Sequence, residues 1–135
     1  MILTKTLDEL NAEFEFMDSM VTGFCWDTSM QDLLVTLDYF WDSYASKTDP
    51  RTLTIRFRNC QSASFSLPKA FDLIAPQFAA MSKSEYNSYI WSWHTITGYS
   101  FKQQGDKIEA SIWTADHDRE WLIVSCEEIW VEGDE

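Results

Sequence analysis

Over residues 33–42 apolar and polar positions alternate, with Leu33, Val35, Leu37, Tyr39 and Trp41 on one face and Thr36, Asp38 and Asp42 on the other. Successive side chains of a strand point to opposite sides, so this period of two predicts a strand with one buried and one wet face. The stretch Met20 to Trp26 reads as its hairpin partner, with Asp27, Thr28 and Ser29 as turn material. Beyond a turn at 46–50, Leu53, Ile55 and Phe57 alternate with Thr54, Arg56 and Arg58 and predict a third strand, and Phe65 with Leu67 a brief fourth. Tyr89, Trp91 and Trp93 restore the strand period, and Ile108, Ala110 and Ile112 carry it again. Gly98 and residues 103–106 mark turns. Residues 121–131 form the last predicted strand, apolar on both faces at Leu122, Ile123 and Val124 as in a central strand.

Two stretches have helical spacing instead. Leu7, Leu10 and Phe14 make one apolar stripe over about two turns. Thr6 caps it, and Glu9 stands three positions on, where its side chain returns a bond to the Thr6 amide in a capping box. Ala70, Phe71, Leu73, Ile74, Phe78 and Met81 space a second helix over 69–82, which Pro76 must end or kink. Strands in hairpin order with little helix predict an α+β fold: an antiparallel sheet of about six or seven strands with one or two short helices packed on it. No linker divides the chain, so residues 1–135 are expected to form a single domain.

Composition narrows the class. Hydrophobic residues are 45% and aromatics 16% of the 135, with only four Gly and three Pro, which excludes a disordered tail or a collagen-like fibre. A net charge of −12 argues against direct nucleic-acid binding. No apolar run reaches the roughly 18–20 residues of a membrane-spanning helix, and Lys5, Asp8 and Glu9 interrupt the start where a secretion signal would be apolar. A cytoplasmic protein is expected. Cys25, Cys60 and Cys126 are odd in number, far apart and set in apolar surroundings, which predicts inert core thiols.

The charge is uneven. Residues 1–42 hold nine acids and one base, residues 43–104 three acids and seven bases, and residues 105–135 ten acids and two bases. The terminal acids either form the solvated faces of edge strands and loops that keep an aromatic-rich protein soluble, or, folded together, form one acidic surface that steers a basic partner. Its candidate residues are Asp42, Asp116, Asp118, Glu120, Glu128 and Glu132, with Trp41 and Trp130 as anchors, because Trp buries a large area at small entropic cost. Glu127 and Glu128, read as neighbours in one strand, must point to opposite faces.

Motifs for chemistry are missing. His117 between Asp116 and Asp118 matches no zinc spacing and lacks the Gly and final Glu of a calcium loop. His94 reads as a structural histidine in a strand. The four glycines are scattered, which excludes a phosphate-cradling loop, and no nucleophile elbow surrounds any Ser. We therefore expect no enzyme activity, no cofactor and no metal.

One resemblance enters here. The segments Asp18-Ser19-Met20-Val21, Leu33-Leu34-Val35-Thr36-Leu37-Asp38-Tyr39 and Leu53-Thr54-Ile55-Arg56-Phe57-Arg58-Asn59 resemble the opening half of small bacterial immunity-type proteins, over roughly residues 17–67. Met17 stands where that pattern carries His. The resemblance implies a protein that neutralises a cognate toxin of a polymorphic or contact-dependent inhibition system. The expected partner is a toxin or effector with a basic surface, bound by a monomer or dimer. A DNA-mimic inhibitor of a nucleic-acid enzyme, and a small enzyme or ligand-binding domain with a Trp-rich pocket, are the alternatives.

Overall fold

The computed structural model describes residues 2–40, 51–66, 95–115 and 119–133. Their elements run β1 (Ile2–Thr4), α1 (Leu7–Glu13), β2 (Met20–Trp26), β3 (Leu33–Tyr39), β4 (Arg51–Arg58), β5 (Ser62–Phe65), β6 (Ile96–Gln104), β7 (Lys107–Thr114), β8 (Leu122–Cys126) and β9 (Glu128–Gly133). They build a five-stranded sheet in the order β1-β9-β4-β3-β2 and a four-stranded sheet in the order β5-β8-β7-β6. Every pairing is antiparallel. The expected antiparallel α+β class is met, but the described residues alone form nine strands in two sheets instead of about six or seven in one, with one helix.

Local chemistry accounts for the elements. Thr6 caps α1 in extended backbone and its hydroxyl accepts from the Glu9 N–H at 3.2 Å. The Glu9 carboxylate, however, accepts from the Thr4 hydroxyl at 2.7 Å, so it ties the helix to β1 instead of closing the predicted capping box. In β3 the alternation is complete, with Leu33, Val35, Leu37 and Tyr39 buried. Leu53, Ile55 and Phe57 of β4 follow the same rule. The β6–β7 turn carries Gly105 at φ 65°, left-handed backbone that a residue with a Cβ adopts only under strain.

The two sheets share one core. Val35, Leu37, Ile55, Phe57, Ile129 and Val131 from the first sheet meet Ile108, Ala110, Ile112, Leu122, Val124 and Cys126 from the second in a single hydrophobic cluster. The chain crosses between sheets after β4 and returns after β8. The two crossings are tied together: Glu127 N–H donates to the Arg58 carbonyl at 3.0 Å, and the Asn59 side-chain amide donates to the Glu127 carboxylate at 2.9 Å. Asn59 takes φ 49° to make its turn, a conformation that Asn tolerates better than most residues. At the opposite edges Met20 bridges Thr95, and Ser19 C=O accepts from Ile96 N–H at 2.8 Å, joining β2 to the start of β6.

These corners correct several expectations. Residues 121–131 are two strands in different sheets, broken at Glu127, so Glu127 and Glu128 are both exposed and do not alternate. Ile123 is 43% exposed, so β8 is inward on one face alone. Gly98 lies inside β6, at the shift of register opposite Trp113, with the indole 3.8 Å from where a Cβ would stand. It marks a bulge, not a turn. The short β1 was not expected, since three residues show no period. The predicted helix 69–82, the strand of Tyr89, Trp91 and Trp93, and the candidate residues Trp41 and Asp42 lie outside the described residues.

Only Cys126 is the buried core thiol expected of all three cysteines. Cys25 is exposed, on the outer face of edge strand β2, and Cys60 is half-buried. Burial, with a smaller contribution from the nearby Cys60, pushes the Cys126 thiol up to about 12; burial also raises Cys60. Because the thiolate is the nucleophile, iodoacetamide at neutral pH should alkylate Cys25 in the folded protein and reach Cys126 only after denaturation. Peptide mass mapping of timed samples checks this.

Candidate interaction surface

β9 alternates, so Ile129 and Val131 go into the core and Glu128, Trp130 and Glu132 face outward. The register sets Arg58 beside Glu128, Arg56 beside Trp130 and Thr54 beside Glu132 on the neighbouring β4. Three predicted site residues are thereby brought together, but among cations. Arg56 Nε donates to Glu132 at 2.5 Å and Nη1 to Asp32 at 2.9 Å, with Asp27 at 3.7 Å. Arg58 approaches Asp32 at 3.6 Å and lies over the Trp130 ring, 4.1 Å from its centroid; Lys5 stands over the same ring at 4.9 Å. The Trp130 indole N–H donates to Glu128 at 3.0 Å.

This arrangement explains the uneven charge. The bases of β4 lie between Asp27 and Asp32 from the acidic first segment and Glu132 from the acidic last one. Part of each excess is therefore neutralised inside the fold, and Glu132 is committed to Arg56. Of the remaining predicted residues, Glu120 is half-buried, while Asp116 and Asp118 lie outside the described residues.

Asp27 organises the β2–β3 turn. Its carboxylate accepts from the N–H groups of Gln31 and Asp32 at 3.1 and 3.2 Å and from the Ser29 hydroxyl at 3.0 Å. Desolvation acts to raise its pKa, but these hydrogen bonds and the Arg56 charge outweigh it and hold the carboxyl below its usual value. Arg56 is pushed the other way, upward, chiefly by its hydrogen bond to Glu132 and, against desolvation, by Asp32. A carboxyl depressed on folding contributes stability above its unfolded pKa and loses it as pH falls through the folded value. Stability should therefore decline as pH is lowered below the ordinary carboxylate range, and Asp27→Asn should flatten that decline. Urea midpoints across a pH series measure it.

The same turn carries the feature that pattern reasoning missed. Phe24, Trp26 and Met30 are 45%, 42% and 73% exposed. Phe24 stacks on Phe65 of β5 with centroids 4.7 Å apart, and both rings meet the buried Trp121 edge-on. Met30 holds φ 61°, a left-handed conformation unusual for a residue of its shape. The signal in the sequence was the placing of Phe24 and Trp26 at a strand end beside a turn, where the opposing sheet covers them only in part.

Little else among the described residues suggests chemistry. They hold no group of three or more His, Cys, Asp or Glu placed to bind a metal ion. An open groove of about 370 Å³ runs along β1 and the start of α1, lined by Ile2, Leu3, Thr4, Lys5, Thr6 and Glu9. No described helix is long and apolar enough to cross a membrane.

No family model matches the chain, and no curated protein matches it. Among solved structures, an uncharacterized protein from Neisseria gonorrhoeae superimposes with a TM-score of 0.57 at 11% identity, over 89% of this chain and 95% of that one. The chain thus has the fold of that Neisseria gonorrhoeae protein, and at this identity the likeness concerns the fold alone.

Proposed function

We propose that this is a protein-binding inhibitor, acting in the cytoplasm as an immunity protein that neutralises a cognate bacterial toxin by covering a basic surface. The observation that carries this reading is the exposed apolar trio Phe24, Trp26 and Met30 within an acidic stretch. Between Thr6 and Phe40 there are eight acids and no base. Large apolar side chains exposed together and rimmed by polar residues mark interaction sites, and acidic surroundings favour encounter with a basic partner. Nucleases expose basic surfaces to hold phosphates, which gives an acidic antagonist a physical purpose. The reading adds Trp26 and Met30 to the anchor Trp41 and sets Trp130 aside, since Arg58 and Lys5 already lie over its ring. A DNA mimic is disfavoured by the bases of β4, which interrupt the carboxylates on the β4–β9 face.

Affinity capture from the protein's own host at low and high salt, with mass spectrometry, tests the reading. One stoichiometric basic protein, held at low salt and weakened at high salt, is expected; capture of no protein at either salt would overturn it. Met30→Gly separates stability from binding. Gly takes φ 61° freely, and the relieved strain of about 1 kcal/mol offsets the added entropy of the unfolded chain, so the variant should melt no lower than the parent. It should also bind the captured partner more weakly, as calorimetry would show.

A further inference from the structure

Among the described residues the two sheets leave four edge strands, and three of them are short or met by a side chain. On β6 the Asn11 side chain of α1 donates to the Phe101 carbonyl at 3.4 Å. β1 has three residues and β5 four, too short to template a long added strand. The exception is the second half of β2. Asp27 N–H donates to the Asp32 carbonyl at 3.0 Å, which makes that pair hydrogen-bonded. In an antiparallel ladder bonded and non-bonded pairs alternate. Cys25 opposite Leu34 is then bonded, while Trp26 opposite Leu33 and Phe24 opposite Val35 turn their N–H and C=O groups away from β3. No described residue meets those four groups. The shift of register at Val21/Gly23 lies upstream of them, and neither Pro nor Lys guards them.

We infer that the Phe24–Trp26 edge of β2 receives an extended basic segment of the partner protein as an added strand. This rests on the protein-binding reading above and specifies its mode: main-chain bonds supply affinity and alternate side chains specificity. Charge selects the occupant. Exposed Asp18 precedes the strand, Asp27, which Arg56 approaches at 3.7 Å, follows it, and no base lies between Thr6 and Phe40 in the chain. A second copy would bring another −12 to the same edge, so a basic segment fits better than self-pairing.

The test is residue-resolved amide exchange at low salt, with a capped octapeptide of alternating Lys and Val and the same peptide with Glu for Lys. In the free protein Phe24 and Trp26 amides should exchange fast, and Cys25, bonded to β3, slowly. The Lys–Val peptide should slow Phe24 and Trp26 by about tenfold or more and leave Cys25 unchanged, while the Glu–Val peptide should do neither. Trp26→Pro removes an outward donor without touching the β3 ladder, so it should abolish the effect at unchanged far-ultraviolet dichroism. Equal slowing by both peptides, or none by either, overturns the inference. So does protection in the free protein: if it grows with concentration a second copy fills the edge, and if it does not the chain fills it itself. Should the captured basic protein bind while both amides stay unprotected in that complex, the edge inference falls and the protein-binding reading stands.

Discussion

Phe16→Ala should destabilise the protein by about 4 kcal/mol, the range found when a buried aromatic ring is removed from a core. Phe16 is 1% exposed and lies in the connection between α1 and β2. Its ring stacks on Phe14 at 5.8 Å and meets Tyr39 at 5.8 Å, Tyr99 at 5.4 Å and Phe101 at 6.0 Å edge-on. Tyr39 belongs to the five-stranded sheet and Tyr99 and Phe101 to the four-stranded one, so the ring is a wedge between layers. The backbone around it is fastened as well, by Glu15 N–H donating to the Tyr39 hydroxyl at 3.1 Å and the Tyr99 hydroxyl donating to the Phe14 carbonyl at 3.4 Å. Removal leaves a cavity that four neighbouring rings held in place cannot refill. The melting temperature should fall by roughly 15 °C, and Phe16→Leu, which keeps most of the volume, by a third of that or less. A loss below about 1 kcal/mol for Phe16→Ala would show that the layers are joined elsewhere.

Arg56→Ala should cost about 3 kcal/mol, the low end for breaking a buried ion pair because the guanidinium keeps some contact with water. Arg56 is the shared partner of Asp32, Asp27 and Glu132, and the Asp32 side chain is only 10% exposed. Without it Asp27 and Asp32 repel at close range, and Asp32 retains the Asn59 N–H at 3.0 Å and the more distant Arg58. Arg56→Lys keeps the charge but cannot present two donors in a planar fork, so it should recover less than half of the loss. Urea unfolding checks both variants through a shift of midpoint at unchanged slope. A loss below about 1 kcal/mol would place the cluster among ordinary surface pairs.

The strands with a clean period of two were legible: β3, β4 and β7 lie within the alternating stretches 33–42, Leu53–Phe57 and Ile108–Ile112 or overlap them, and β2 lies where its turn put a hairpin partner, Met20–Trp26. Each buries one face along its whole length or pairs with a strand that does, so local pattern and tertiary burial agree. The cap at Thr6 was legible because it is a bond over three residues. The break at Glu127 was not, since Glu127 and Glu128 interrupt an otherwise mostly apolar run without Gly or Pro to mark a turn, and the change of sheet is fastened to the Arg58 carbonyl, far away in the chain. Glu9 was read as a local cap and is a tertiary tie to Thr4, for the same reason.

The candidate surface divides in the same way. That residues of β9 alternate, and so set Glu128, Trp130 and Glu132 on one face, follows from the backbone period alone. Whether those carboxylates are free or paired depends on which strand lies alongside, and only the tertiary structure placed the arginines of β4 there. Likewise an alternating sequence says which side of a strand is apolar, but not where the opposing layer ends; that limit leaves Phe24, Trp26 and Met30 only partly covered. The sequence by itself determined strand identity, sidedness and net charge, because these depend on near neighbours. Sheet membership, charge pairing and the exposed edge were decided by contacts between residues distant in the chain, which no local period encodes.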